Sequence, residues 1–348
     1  MNFYGIYNQK PFVFMNTNPW TKFYPKGVPE EINPDKYQSL PEMFDECLTK
    51  FSDLIAYENI GSSITFHQLD RLSVNFAGYL QNKLGLKKGD RIAIQMPNLM
   101  QYPVVLFGAL RAGLVVVNTN PLYTPREMEY QFRDSGAETI VILSNFAHNL
   151  QKIISNTQIK NVIITNIGDL LGGLKGIIVN AVVKYVKKMV PEYSIPGAIN
   201  FNETIRSDHG RFFVKSNLTG ADTAFLQYTG GTTGVSKGAM LSHRNMVANM
   251  EQIYVWMCPK LVDREEIVIT ALPLYHIFAL TVNCLAMLKI GARNILITNP
   301  RDMKTFIKEL KKYKFTVFTG VNTLYNGLMN QEEFKNLDFS KFKIAVGG

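Results

Sequence analysis

The residues best suited to chemistry lie in one string, YTGGTTGVSKGAMLSHRN, running from Tyr228 to Asn245. Gly230, Gly231, Gly234 and Gly238 let the backbone bend and present its N–H groups, and Thr229, Thr232 and Thr233 supply hydroxyls. Lys237 adds a point charge suited to a polyphosphate. Tyr228 through Ala239, with Val235 and Ser236 between the glycines, therefore reads as an anion-binding concavity for the phosphates of a nucleotide. It is not a Walker A loop, because Val235 and Ser236 follow Gly234 where a Lys and a Ser or Thr are required.

Two other readings compete. The blander one is a glycine-rich hairpin. The sharper one takes Gly234-Val235-Ser236-Lys237-Gly238 as the GxSxG nucleophile elbow of a serine hydrolase, with Asp263 and His276 following in the right chain order. An elbow needs a strand-to-helix turn at the serine, whereas Ala239-Met240-Leu241 reads as a strand, so phosphate binding is preferred.

The elements that must hold this loop alternate. Residues 1–38 contain Pro11, Pro19, Pro25, Pro29 and Pro34 and predict an extended arm. Thr65 and Gln68 form a capping-box pair before a helical repeat that stops at Gly85. Beyond it, β-branched runs at 91–95, 114–118, 139–143 and 161–165 predict strands, with helices at 99–111, 125–134 and 146–155 between them. A second series predicts strands near 223–228, 267–271, 294–298, 315–319 and 342–346, with helices near 243–257, 276–289, 302–313 and 321–330. The expected fold class is α/β, as an arm (1–38), a first α/β subdomain (39–200) and a second (201–348) carrying the loop. The sequence breaks off just after a predicted buried strand, which reads as an interruption.

Composition narrows the partners. The chain has 348 residues, 46% hydrophobic and 19% charged, enough apolar material for a packed enzyme. Its net charge of +9 suits nucleic acid, anionic lipid or anionic small substrates, but no basic-aromatic module or zinc-finger spacing appears, so no nucleic-acid partner is expected. Cys47, Cys258 and Cys284 lie far apart, as in a reducing cytoplasm. The apolar stretch at 271–288 is broken by Pro273, His276 and Asn283, so no bilayer span is predicted.

The Gly/Thr string is similar to the signature phosphate loop of the AMP-forming adenylating superfamily of acyl-CoA synthetases, peptide adenylation domains and luciferases. Within it the chain resembles bacterial long-chain fatty acid CoA ligases, through INPDKYQSL (32–40), GLKKGDRIAIQMPNLMQYPV (85–104), NPLYTPRE (120–127), LPLYHIFAL (272–280), LITNPRD (296–302) and TGVNTL (319–324). The likeness runs from about residue 27 to the final glycine. It implies two packed α/β subdomains of the large N-terminal domain of such an enzyme, with the C-terminal domain absent. It also implies ATP, Mg2+ and CoA, with a long-chain fatty acid joined first to AMP and then to the CoA thiol. Thr229 would help hold Mg2+, the loop through Gly234 would wrap the β and γ phosphates, and Lys237 would steady pyrophosphate. His276 would lie beside the adenylate carbonyl, with Tyr275, Ile277, Phe278 and Leu280 near the acyl pocket; Val321, Asn322 and Thr323 would border the acyl chain and adenylate. For His276 alone, a satisfied core histidine is the competing reading. Leu280 stands near where some members carry an aromatic gate, so gating by one indole is not expected. The Tyr-Gly-x-Thr-Glu segment, ribose Asp, hinge and adenylation Lys of the full cycle are not in this sequence, so the chain alone is expected to form negligible thioester. A ligase for another carboxylic acid, and a noncatalytic nucleotide- or lipid-binding remnant, are the alternatives.

Residues 170–190 set Leu174, Ile177, Ile178, Ala181, Tyr185 and Met189 along one helical face and Asn180, Lys184, Lys187 and Lys188 along another. Such a helix either packs on its own domain or lies on anionic lipid, so a cytoplasmic protein with peripheral contact at the inner membrane is the expectation. Lys304, Lys308, Lys311 and Lys312 read as a solvated basic face, and a homodimer stays open.

Overall fold

The computed structural model of the protein describes residues 18–230 and 236–348. The alternation of β-branched and amphipathic runs becomes thirteen strands and twelve α-helical segments among these residues. The strands are β1 (Ile55–Asn59), β2 (Ser62–Thr65), β3 (Arg91–Gln95), β4 (Val115–Asn118), β5 (Thr139–Leu143), β6 (Asn161–Thr165), β7 (Ile199–Asn200), β8 (Thr223–Thr229), β9 (Lys237–Ser242), β10 (Ile267–Thr270), β11 (Arg293–Leu296), β12 (Val317–Gly320) and β13 (Ile344–Gly347). The helices are α1 (Leu40–Lys50), α2 (Phe66–Asn82), α3 (Gln101–Arg111), α4 (Pro125–Ser135), α5 (Ala147–Ile153), α6 (Gly173–Ala181), α7 (Phe201–Thr204), α8 (His243–Met257), α9 (Ile277–Ala279), α10 (Met303–Leu310), α11 (Asn322–Met329) and α12 (Glu332–Lys335).

Two sheets form. One has the order β7-β6-β5-β3-β4-β8-β9 and the other β13-β12-β10-β11-β1-β2; both are parallel except at β8–β9 and β1–β2. Strand parity sorts the core, as a sheet covered on both faces requires. Val141 and Leu143 of β5 face the layer between the sheets, while Ile140 and Ile142 face outward toward Met128 and Phe132 of α4 and Leu150 of α5. In the second sheet Val268 and Leu296 face inward, and Ile269 and Ile295 pack outward against Phe306 and Leu310 of α10. Helices α1, α2, α3 and α8 fill the layer between, where the rings of Phe44 and Phe107 lie 4.0 Å apart.

The residue-200 boundary is not a boundary between sheets. β8 and β9, from the second half of the sequence, complete the first sheet, and β1 and β2, from the first half, complete the second. Hydrophobic pattern reports which face of a strand is buried but not which neighbour it pairs with, so this exchange had no signature in the sequence.

The capping box at α2 forms: Gln68 N donates to Thr65 Oγ1 at 3.1 Å and Thr65 N to Gln68 Oε1 at 2.9 Å. The single helix expected at 276–289 is instead α9 followed by a widened π-helical segment, Leu280–Ala286. Asn283 is the cause we assign: its buried amide donates to Thr270 Oγ1 at 3.0 Å and accepts from Thr319 Oγ1 at 2.9 Å, holding the turn against the sheet. The arm, as far as it is described, docks on α8, where Arg244 pairs with Asp35 and the ring of Trp256 meets Tyr24 edge-on at 5.2 Å. Among the described residues no helix is long and apolar enough to cross a membrane.

Candidate functional site

β8 runs parallel to β4, so Thr229 emerges at the carboxyl edge of the first sheet. β9 returns antiparallel and pairs Thr229 with Lys237, Tyr228 with Gly238 and Gln227 with Ala239. Both ends of the Gly/Thr loop therefore stand side by side, about 5 Å apart as cross-strand partners. Thr229, Gly230, Lys237 and Ala239 are exposed, and Ser236 is half-buried with its Oγ donating to Thr229 O at 3.0 Å. Gly231, Thr232, Thr233, Gly234 and Val235 lie outside the described residues.

Two residues brace this mouth. Tyr228 OH donates to Asp134 Oδ2 at 2.5 Å. Burial first, and then that carboxylate, push the Tyr228 phenol above its ordinary value, so it stays a neutral donor and serves as a prop. Gly238 lies under the ring, where a Cβ would come within 2.9 Å of Tyr228 Cε2. At this position glycine answers to packing as well as to any phosphate.

The hydrolase alternative fails on geometry. Ser236 leads into a strand and not a helix, Asp263 pairs with Lys50 at 2.9 Å, and His276 Nδ1 accepts from Phe278 N at 3.4 Å. His276 is exposed and caps α9, so it is not a buried core histidine either.

Buried amides bring the carboxyl ends of the two sheets together. Asn98, just past β3, donates to Thr270 O and Leu272 O, each at 2.9 Å, and accepts from Leu274 N at 2.8 Å. Tyr102 OH donates to Asn118 Oδ1 at 2.7 Å, Asn118 Nδ2 to Gln227 Oε1 at 3.1 Å, and Gln227 Nε2 to Tyr275 O at 3.1 Å. The chain from β8 to Tyr275 thus fixes the segment carrying His276 against the strand carrying Thr229. The crevice outside the carboxyl ends of parallel strands is where α/β sheets bind ligands. Asn98, Asn118 and Gln227 were not singled out from the sequence, although each is an amide at or just beyond the end of an apolar strand run.

The proposed pocket residues separate. Tyr275 lines a cavity of about 500 Å³ with Pro97, Leu122, Phe146 and Arg301. Ile277 and Phe278 line another of about 840 Å³ with Ile253, Trp256 and Val346. Leu280 is fully buried in the layer between the sheets. Val321 follows β12 and is the N-cap residue of α11, with Asn322 and Thr323 exposed in its first turn. Burial raises the Tyr275 phenol, so it too is a neutral group at the site.

The chain matches the family described as AMP-binding enzyme over residues 44–348. It is 56% identical over 329 residues to a long-chain-fatty-acid–CoA ligase of Escherichia coli, covering 94% of this chain and 59% of that protein. The corresponding ligase of Haemophilus influenzae is 52% identical, with 94% and 59% covered. The chain therefore spans 59% of the length of these curated relatives. The crystal structure of an anthranilate CoA ligase in complex with anthranoyl-AMP superposes with a TM-score of 0.76 at 19% identity, covering 91% of this chain and 56% of that one, and shows the shared fold. A hairpin mouth poised at the meeting of two carboxyl edges, in a chain matched by this family through its final residue, makes the protein a member of the AMP-binding enzymes.

Proposed function

We propose that the chain is the nucleotide- and acid-binding part of an AMP-forming long-chain fatty acid CoA ligase. The observation that supports this reading is the bond from Gln227, in the strand leading to Thr229, to Tyr275 O beside His276, in a segment whose Ile277 and Phe278 line the apolar 840 Å³ cavity. A triphosphate at the hairpin mouth and an acyl chain in that cavity would bring a carboxylate and an α-phosphorus into one crevice. A cavity of that size and lining is of the class that takes small apolar ligands.

A carboxylate resists attack by a thiol because it has no leaving group. Attack of its oxygen on the α-phosphorus of ATP forms the acyl-adenylate and expels pyrophosphate; the CoA thiol then displaces AMP to give the thioester. Charge grows on the departing phosphates, where Lys237, the Thr229 hydroxyl and loop amides stabilise it. His276 would orient the adenylate carbonyl through its exposed ring. No three His, Cys, Asp or Glu side chains gather to hold a metal among the described residues. Mg2+ would be held by the Thr229 hydroxyl together with oxygens of the nucleotide itself, and when bound it would neutralise phosphate charge.

The test is ATP–pyrophosphate exchange in a chimera that joins this chain to the remaining part of the Escherichia coli relative. Thr229→Ala with Lys237→Ala should lower exchange driven by a long-chain acid by roughly 10³-fold. Exchange at the parent rate in the double variant would refute the reading.

A further inference from the structure

The 840 Å³ cavity runs the length of β13. At one end is Phe278, two residues past His276, whose ring would meet a Cβ on Gly348 at 3.4 Å, just beyond the carboxyl end of that strand. At the other end is Lys343, the residue before the strand begins, and Ile344 and Val346 line the space between. Five strand residues separate Gly348 from Lys343, about 16 Å at about 3.3 Å per residue. An extended chain advances about 1.2 Å per bond, as the three backbone bonds of a residue span about 3.6 Å, so about thirteen carbons reach from one end to the other.

The N-terminal arm stands at the Lys343 end. Glu266 links that end to the turn after α8, because its Oε1 accepts from Lys343 Nζ at 2.5 Å and from Val262 N at 2.6 Å. Pro259 and Lys260 of that turn line the cavity, and so does Pro25 of the arm. Gly27 lies beside Pro259, whose Cγ would be 3.9 Å from a Cβ there. Trp256 of α8 completes the lining, and it is the ring that Tyr24 meets edge-on. Trp256 is 51% exposed and Pro25 is exposed too, so these groups form an apolar lip and not a sealed floor.

The lip is held in place. Val28 N donates to Pro25 O at 3.1 Å, closing a turn directly after Tyr24. Further along the arm Asp35 pairs with Arg244, and Lys36 Nζ lies 3.7 Å from Glu251 Oε2. Glu251 is buried and also pairs with buried Lys289, so one carboxylate of α8 fastens the arm to the core.

We propose that Tyr24 and Pro25 of the arm, together with Trp256, select for acyl length by holding the terminal carbons of a long-chain acid. The inference rests on the ligase reading and adds to it a contact at the end of the cavity away from His276. An eight-carbon acid stops short of the lip and gains nothing from it. A sixteen-carbon acid overruns the cavity and lays its last methylene groups across the rings, where both surfaces leave water. Continuity selects this occupant, since the lip opens from the same cavity that begins beside His276. Lys343 turns its ammonium to Glu266 and leaves its stem to the apolar lining.

The experiment measures pyrophosphate exchange against the concentration of octanoic and of hexadecanoic acid in the chimera with the Escherichia coli relative. Tyr24→Ser with Trp256→Ser should raise the KM for hexadecanoic acid roughly tenfold with kcat kept, and leave both constants for octanoic acid unchanged. Trp256→Phe, which keeps a ring, should hold hexadecanoic acid at the parent KM. Pro25→Asp, at an exposed position, should raise the KM for hexadecanoic acid alone, and it carries the test should the double variant misfold. An arm that only braces α8 would move both acids together. That result overturns the proposal, as does a hexadecanoic acid KM that neither Pro25→Asp nor the double variant moves. A parent chimera that exchanges with neither acid removes the ligase reading and this inference with it, whereas a working parent whose variants ignore acyl length removes the lip alone.

Discussion

Thr229, Gly230 and Lys237 stand exposed at the open end of the β8–β9 hairpin, whereas Asn98, Asn118, Gln227 and Asn283 lie buried where the two sheets meet. Both sets are polar, and both lie beside the carboxyl ends of parallel strands, Lys237 by pairing with Thr229 and Asn283 by bonding to Thr270. The buried amides have partners within the fold and hold the crevice in shape; the exposed groups keep hydrogen-bonding capacity for a ligand. Substitution should therefore separate them, the first set through binding with stability intact and the second through stability.

The largest expected effect on exchange is at the mouth. Lys237→Ala should cost at least 10²-fold in pyrophosphate exchange in the completed chimera. The melting curve of the chain should move by no more than about 0.5 kcal/mol, because the side chain is exposed. A large loss of stability would erase the distinction. Asn98→Ala should show the reverse, losing about 4 kcal/mol in urea unfolding as Thr270 O, Leu272 O and Leu274 N lose their buried partner. A cost below 1 kcal/mol would mean that the amide does not tie the sheets.

A third measurement uses pH. Burial lowers the His243 imidazole to about 4 from its ordinary 6.5, and its Nδ1 accepts from Leu40 N at 3.3 Å. Between those values the unfolded chain takes up a proton that the folded chain refuses, so stability falls as pH drops from 6.5 to 4, by about 3 kcal/mol. His243→Gln keeps an acceptor without a titrating group. It should flatten that part of the profile, and an unchanged acid slope would remove His243 as its source. The smallest effect is expected at Gly238→Ala, roughly 2 kcal/mol, because the Tyr228 ring above it is held by Asp134 and cannot retreat.

The sequence made the local structure legible and left the tertiary partners hidden. β5 and β6 begin and end where their β-branched runs do, and Thr65 caps α2 through Gln68, because burial pattern and capping chemistry act within a few residues. The loop stood out through its glycines and threonines, whose backbone freedom and hydroxyls are written in composition. The parting of Tyr275 from Ile277 and Phe278 into two cavities could not be read, since a short helix and a widened turn sent neighbours in opposite directions. Nor could the outward turn of the α6 stripe: periodicity shows that an apolar face exists, and only the bonds made by Asn180 and Lys175 decide where it points.

The exchange of edge strands between the sheets bears on how the chain acquires its shape during synthesis. Asn59 donates to Leu296 O across 237 residues of sequence, and β1 pairs with β11, made late in translation. At about 5–20 residues per second the ribosome takes on the order of ten seconds or more to deliver that partner. Through that interval the β1–β2 hairpin carries an open edge able to pair with other nascent strands. Growth of this protein should therefore lean on a chaperone that shields early strands, and slowing elongation between β2 and β11 should lower the soluble yield.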